Sequence, residues 1–125
     1  MKKILTLLAA TFVLASAYAG EFADISLTDV KALTKSKTAV IIDVNGSDSY
    51  KEGHVPTALN FEAIEDKLAA SLPTDKSTLI VAYCGNPKCP AYLRAAKAAK
   101  KLGYTNVKHM PAGIDGWKAA GLKTE

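Results

Sequence analysis

Two stretches of this chain, "TAVIIDV" at 38–44 and "STLIVAY" at 77–83, are continuous runs of apolar, largely β-branched residues. A strand with one wet face alternates apolar and polar side chains, whereas an unbroken run suits a strand covered on both faces, as in a parallel sheet. Parallel strands need long crossover connections, and the intervening segments supply them. "EFADISLTDVKALTK" predicts a short extended lead-in and then a helix capped by Ser26, with Asp29 three residues on. "NGSDSYKEGHVPTALNF" reads as turn-rich, and "EAIEDKLAASL" as one helix with Ile64, Leu68 and Leu72 on a single stripe, stopped by Pro73. From Pro90 the pattern is helical again. Leu93, Ala96, Ala99 and Leu102 form its apolar stripe, Gly103 its C-terminal cap, and Arg94, Lys97 and Lys101 the opposite side. "NVKHM" predicts a short strand and "GIDGWKAAG" a closing helix carrying Trp117. The expectation is an α/β domain with a mainly parallel central sheet, flanking helices and right-handed crossovers.

The first residues read differently. "MKKILTLLAATFVLASAYAG" has cations at Lys2 and Lys3, an apolar run from Ile4 to Leu14, and Ala17-Tyr18-Ala19 before Gly20, the pattern of a secretory signal peptide cleaved after Ala19. The apolar stretch is short of the ~20 residues that a spanning helix needs, so no stable membrane anchor is expected after cleavage. Residues 1–19 are thus assigned to a signal peptide and 20–125 to one domain of an exported protein, periplasmic or secreted. Lys2 and Lys3 leave with the leader, so 14 basic residues face 12 acidic ones. That small excess gives no clustered basic surface for nucleic acid.

An exported chain meets oxidising surroundings, where free thiols are not the default. Both of its cysteines, Cys84 and Cys89, fall in one loop between the second apolar run and the helix after it. In open parallel sheets ligands bind beyond the carboxyl ends of the strands, which is where Cys84 stands. The loop Gly85-Asn86-Pro87-Lys88 permits tight turning, and its backbone N–H groups can converge into an anion-binding nest at a helix N-terminus. Such surroundings favour a thiolate, so Cys84 is the candidate nucleophile, with Gly85, Asn86, Pro87, Lys88 and Cys89 as the candidate substrate-binding loop. His54 and His109 lie in no recognisable catalytic motif. Two Cys and two His at these spacings do not make a zinc site, and neither a metal nor a cofactor is expected.

With the loop placed, the chain resembles the single-domain rhodanese family of sulfurtransferases. "IIDVN" at 41–45 resembles the family's first buried strand with its terminal acid, and "YKEGHVPTALN" at 50–60 its Gly-His-Ile-Pro-Gly-Ala-x-Asn segment. "AYCGNPKCPAY" at 82–92 resembles the active-site loop, and "LGYTNVKHMPAGIDGW" at 102–117 the Leu-Gly-Tyr…Gly-Gly-Ile…Trp ending. The resemblance implies a three-layer rhodanese-like fold. It also implies that Cys84 takes a sulfane sulfur from a small anionic donor such as thiosulfate, becomes a persulfide, and passes the outer sulfur to a thiol or a protein acceptor. Asp43 and His54 match family positions, where they are read as structural supports. The departures are Asn45 where the family often carries Arg, Thr57 for the Gly after the proline, Ala112 for the first Gly of the pair, and Cys89 at the loop's last position. Lys88 is the loop's only cation.

Related phosphatases carry an arginine six residues after the cysteine, and Pro90 stands there, with Arg94 ten residues on. Cys89 is read as a bystander or as a resolving or regulatory cysteine, and a thiol-disulfide protein using the Cys84/Cys89 pair is the main rival. A non-catalytic binding module is the third reading.

Overall fold

The computed structural model describes residues 21–125, so the expected signal peptide over 1–19 lies outside the described residues. The strands are β1 (Ala23–Asp24), β2 (Ala39–Asp43), β3 (Leu59–Asn60), β4 (Leu79–Tyr83) and β5 (Val107–His109). They form one sheet in the order β1-β5-β4-β2-β3, with every pairing parallel. The two apolar runs are its centre, β2 and β4, in register from Ala39 opposite Leu79 to Asp43 opposite Tyr83. Side chains alternate between the faces of a strand. Ile42, Ile80 and Ala82 therefore enter one core with Phe61, Leu68, Ala95, Ala96 and Ala99, while Ile41, Val81 and Tyr83 enter the other with Val30, Ile114 and Trp117. Two buried faces explain why neither run alternates.

The helices are α1 (Leu27–Ser36), α2 (Ser47–Glu52), α3 (Phe61–Ile64), α4 (Leu68–Ser71), α5 (Tyr92–Lys101) and α6 (Gly113–Ala119). Val30 of α1 and Ile114 and Trp117 of α6 cover one face; α3, α4 and α5 cover the other. The result is the three-layer α/β architecture. Ser26 caps α1 as expected, its hydroxyl accepting from Asp29 N–H at 3.1 Å. Gly103, at φ 100°, closes α5: its N–H reaches Lys100 O and Tyr104 N–H reaches Ala99 O, so the last carbonyls of the helix are satisfied.

Several local expectations change. The single helix expected over "EAIEDKLAASL" is instead α3, a 3-10 turn over Glu65–Lys67, and α4, because the backbone is distorted at Ile64 (φ −115°, ψ −1°) and leaves the α region at Lys67 (φ −131°, ψ 33°). Leu72, next to Pro73, is extended, since a residue before proline is pushed out of the helical region. α5 starts at Tyr92 rather than Pro90, and its buried face is Tyr92, Ala95, Ala96 and Ala99, with Leu93 and Leu102 at the margin. The turn-rich stretch hides α2, which buries no residue and so shows no apolar periodicity, and β3. Thr57, where the family has Gly, holds φ 72°, a left-handed conformation that costs a β-branched residue about 1–2 kcal/mol. Its N–H is held by Glu125 Oε1 at 2.7 Å.

His109 of β5 is buried and stacks on Tyr92, with ring centroids 3.4 Å apart. Its Nδ1 lies 3.7 Å from Asp24 Oδ1 on β1, and its Nε2 has no partner among the described residues. Burial pushes its pKa below the usual histidine range, and Asp24 only partly opposes this. The unfolded chain therefore binds the extra proton first, so this histidine's contribution is intact above the unfolded pKa of ~6.5 and is lost as pH falls below it. In urea unfolding, His109→Phe is expected to flatten the rise of the midpoint between pH 5 and 7 relative to the unsubstituted protein; parallel profiles would contradict this.

Candidate active site

β4 delivers Cys84 to the carboxyl edge of the sheet, and α6 fastens the backbone of Cys84 and Gly85 in place. The Cys84 carbonyl accepts from Ile114 N–H at 2.9 Å and the Gly85 carbonyl from Asp115 N–H at 3.0 Å. Donors in the first turn of a helix have no intrahelical partner, and here the loop's own carbonyls satisfy them. Gly113 permits the approach: a Cβ there would lie 2.4 Å from the Gly85 carbonyl carbon and oxygen and 2.6 Å from Cys84 O, and its φ is 63°.

Beyond Gly85 the chain turns on Asn86 and Pro87. Asn86 Oδ1 accepts from Lys88 N–H at 2.9 Å and Asn86 O from Cys89 N–H at 3.1 Å, a β-turn with Asn first and Pro second. This curl brings Cys89 back over Cys84. Their Cα atoms are 6.3 Å apart and the two sulfurs are paired as a disulfide. Cys84 is 1% exposed, Cys89 is half-buried, and Asn86, Pro87 and Lys88 face solvent. Cys84 Sγ also lies 3.1 Å from the Cys89 carbonyl oxygen, to which it can donate only as a free thiol. The turn consumes the N–H groups of Lys88 and Cys89, and Pro87 has none. Among the described residues, the amides from Cys84 to Asn86 are those of this loop without a protein acceptor.

Gly85 is flanked by two side chains. A Cβ built on it would stand 3.7 Å from Asn45 Oδ1 and 3.9 Å from Asp115 Oδ2. Asn45 Nδ2 is buried and has no partner among the described residues. In the sequence Asn45 stands out only as a departure from the family pattern, and Asp115 does not stand out at all. The available signal was Asn45's place just past the end of a central strand.

Asp43 is fully buried at the end of β2, beside Tyr83. Its Oδ2 accepts from Tyr83 O–H at 2.6 Å and its Oδ1 from Asn45 N–H at 2.8 Å, while the Tyr83 oxygen accepts from Val55 N–H at 3.0 Å. Burial, with the Asp43 charge second, pushes the Tyr83 hydroxyl far above its usual range, so it stays a donor. Asp43 thus ties the loop that carries Asn45 to the strand that carries Cys84. Asp43→Ala is expected to cost about 3 kcal/mol in urea unfolding, because Tyr83 O–H and Asn45 N–H lose a charged acceptor; a loss under about 1 kcal/mol, the size of one ordinary neutral hydrogen bond, would contradict that role. His54 lies elsewhere: its ring stacks on Tyr50, Nδ1 is 2.8 Å from Tyr50 O, and its backbone pairs in both directions with Glu125. Arg94 makes two hydrogen bonds to Glu65, at 2.8 and 2.9 Å, beside a cavity of about 300 Å³ lined also by Val44, Gly46, Phe61 and Glu62. Its guanidinium is engaged there rather than at Cys84.

The family model of the rhodanese-like domain matches residues 26–120. The chain belongs to the rhodanese-like domain family. Its fold is shared with a thiosulfate sulfurtransferase from Pseudomonas aeruginosa, at 24% identity and a TM-score of 0.66, over 82% of this chain and 19% of that one. The polysulfide-sulfur transferase homodimer of Wolinella succinogenes matches at 23% identity and a TM-score of 0.66, over 88% and 82%. The Alr3790 protein from Anabaena sp. matches at 25% and 0.66, over 81% and 79%. Among curated proteins, an HTH-type transcriptional regulator of Mycobacterium tuberculosis is 34% identical over 87 residues; the match covers 68% of this rhodanese-like chain and 37% of the regulator.

Proposed function

We propose that this rhodanese-like domain is a sulfurtransferase whose nucleophile is Cys84. The Cys84 thiolate attacks the sulfane sulfur of a thiosulfate-like donor; the S–S bond of the donor breaks, sulfite leaves with the bonding pair, and Cys84 holds the sulfur as a persulfide. A thiol, free or on a protein, then takes the outer sulfur. The observation that carries the reading is the placement of Cys84 at the end of β4, with its carbonyl and that of Gly85 fastened to α6 and the unengaged N–H groups of Gly85 and Asn86 beside it. Donors fixed before the reaction stabilise developing negative charge without reorganisation. Two neighbours of the same fold bear sulfur-transferase names, which agrees with this assignment. The reading includes export to the periplasm or beyond, where the Cys84–Cys89 disulfide must be reduced before Cys84 can accept sulfur. The paired cysteines favour a second reading, a thiol-disulfide protein that exchanges electrons through Cys84 and Cys89 and takes up no sulfur.

Sulfite release from thiosulfate by the pre-reduced protein separates the two. One sulfite per chain supports sulfur transfer; no sulfite, with ready disulfide exchange, supports the redox protein. Lys88, the exposed cation of the loop, is proposed to attract the anionic donor. Lys88→Ala is expected to raise KM for thiosulfate about threefold to fivefold with kcat little changed, since an exposed charge contributes at most ~1 kcal/mol. An unchanged KM would sink this assignment.

A further inference from the structure

We infer that Cys89 discharges the Cys84 persulfide as hydrosulfide, so that the domain reduces sulfane sulfur at the expense of a dithiol. This rests on the sulfurtransferase reading and adds a second half-reaction to it. The Cys89 thiolate attacks Cys84 Sγ, the inner sulfur of the persulfide. The Sγ–Cys89 bond forms, the bond to the outer sulfur breaks, and the outer sulfur leaves as HS⁻ with the bonding pair and the persulfide proton. The sulfane sulfur is reduced from 0 to −2, and each cysteine sulfur is oxidised from −2 to −1. An external dithiol, of the class found in thiol–disulfide carriers, then reduces the disulfide and resets both thiols.

Three observations carry this. Cys89 is paired with Cys84 Sγ itself, with the Cα atoms 6.3 Å apart, so the attacking sulfur reaches the inner sulfur without rearrangement of the chain. The Asn86–Pro87 turn holds it there through the Lys88 and Cys89 N–H bonds, which turns a bimolecular attack into a pre-oriented one. Cys84 is 1% exposed while Cys89 is half-buried, so Cys89 is better placed than an external thiol to strike the inner sulfur. The same asymmetry orders the return step. The incoming dithiol meets Cys89 first, and Cys84 departs as the thiolate that the next donor needs. The Cys89 carbonyl, 3.1 Å from Cys84 Sγ, offers an acceptor and not a donor, so it gives an anionic persulfide no stabilisation.

The test is a single turnover. Pre-reduced, desalted protein receives one equivalent of thiosulfate without oxygen, and sulfite, hydrosulfide and intact mass are read together. The unsubstituted chain is expected to yield one sulfite and one hydrosulfide and to lose about 2 Da as the disulfide forms. Cys89→Ser and Cys89→Ala are expected to yield sulfite, at least about tenfold less hydrosulfide, and a stable gain of about 32 Da. An unsubstituted chain that keeps the added sulfur and yields no hydrosulfide would overturn the inference while leaving sulfur transfer standing. Equal hydrosulfide from the Cys89 variants would overturn it too. No sulfite from any of the proteins is a different result: it removes the sulfurtransferase reading and the inference with it.

Discussion

Cys84→Ser is expected to release no sulfite from thiosulfate, a loss of at least ~10³-fold, because a serine hydroxyl at neutral pH is neither ionised nor able to hold sulfane sulfur. The side chain is buried at the end of β4, and the change from sulfur to oxygen is small, so the fold survives it. The oxidised protein also loses the Cys84–Cys89 link, which closes a short loop worth about 2 kcal/mol in the chain-entropy account. Stability is therefore to be compared with the reduced, unsubstituted chain, where the difference should largely vanish. Retention of sulfite release by Cys84→Ser would move the nucleophile elsewhere.

Gly113→Ala is expected to lower kcat/KM about a hundredfold, although the Gly113 position itself is behind the loop and meets no substrate. The added methyl would sit 2.4 Å from the Gly85 carbonyl and 2.6 Å from Cys84 O, closer than real Cβ atoms approach backbone. It would also impose a left-handed conformation, φ 63°, on alanine, at about 1–2 kcal/mol. The strain is relieved only if α6 and the Cys84–Gly85 segment separate. That breaks the bonds from Ile114 and Asp115 N–H and displaces the nucleophile; a misplacement of about 1 Å is enough for a hundredfold loss. Steady-state kinetics with thiosulfate and urea unfolding read the two effects together. Full activity in Gly113→Ala would show that the contact with α6 does not position Cys84.

The central sheet was legible in the sequence because both of its long strands are buried on two faces, and an unbroken apolar run records that directly. The Ser26 cap and the Gly103 terminus were legible for a local reason: each is decided by one or two side chains and their own backbone. α2 was not, since it buries nothing, and neither were the breaks at Ile64 and Lys67, which interrupt a helical spacing of apolar residues. At the site, Cys84 and its loop could be placed from the strand end. The use of that loop could not. The expectation of amides from Gly85 through Cys89 around one sulfur overlooked that the Asn86–Pro87 turn engages the Lys88 and Cys89 N–H groups itself. The nearness of Asn45 and Asp115 to Gly85 has no local signature, because it depends on how β2 and α6 meet β4.

Whether Cys84 carries sulfur is read most directly from the intact and peptide mass of pre-reduced Cys89→Ser after thiosulfate, where discharge through Cys89 is blocked. A gain of about 32 Da is expected on the peptide that contains Cys84, and no gain when Cys84 is also serine. An unchanged mass in Cys89→Ser, or an added sulfur on any other residue, would contradict sulfur carriage by Cys84.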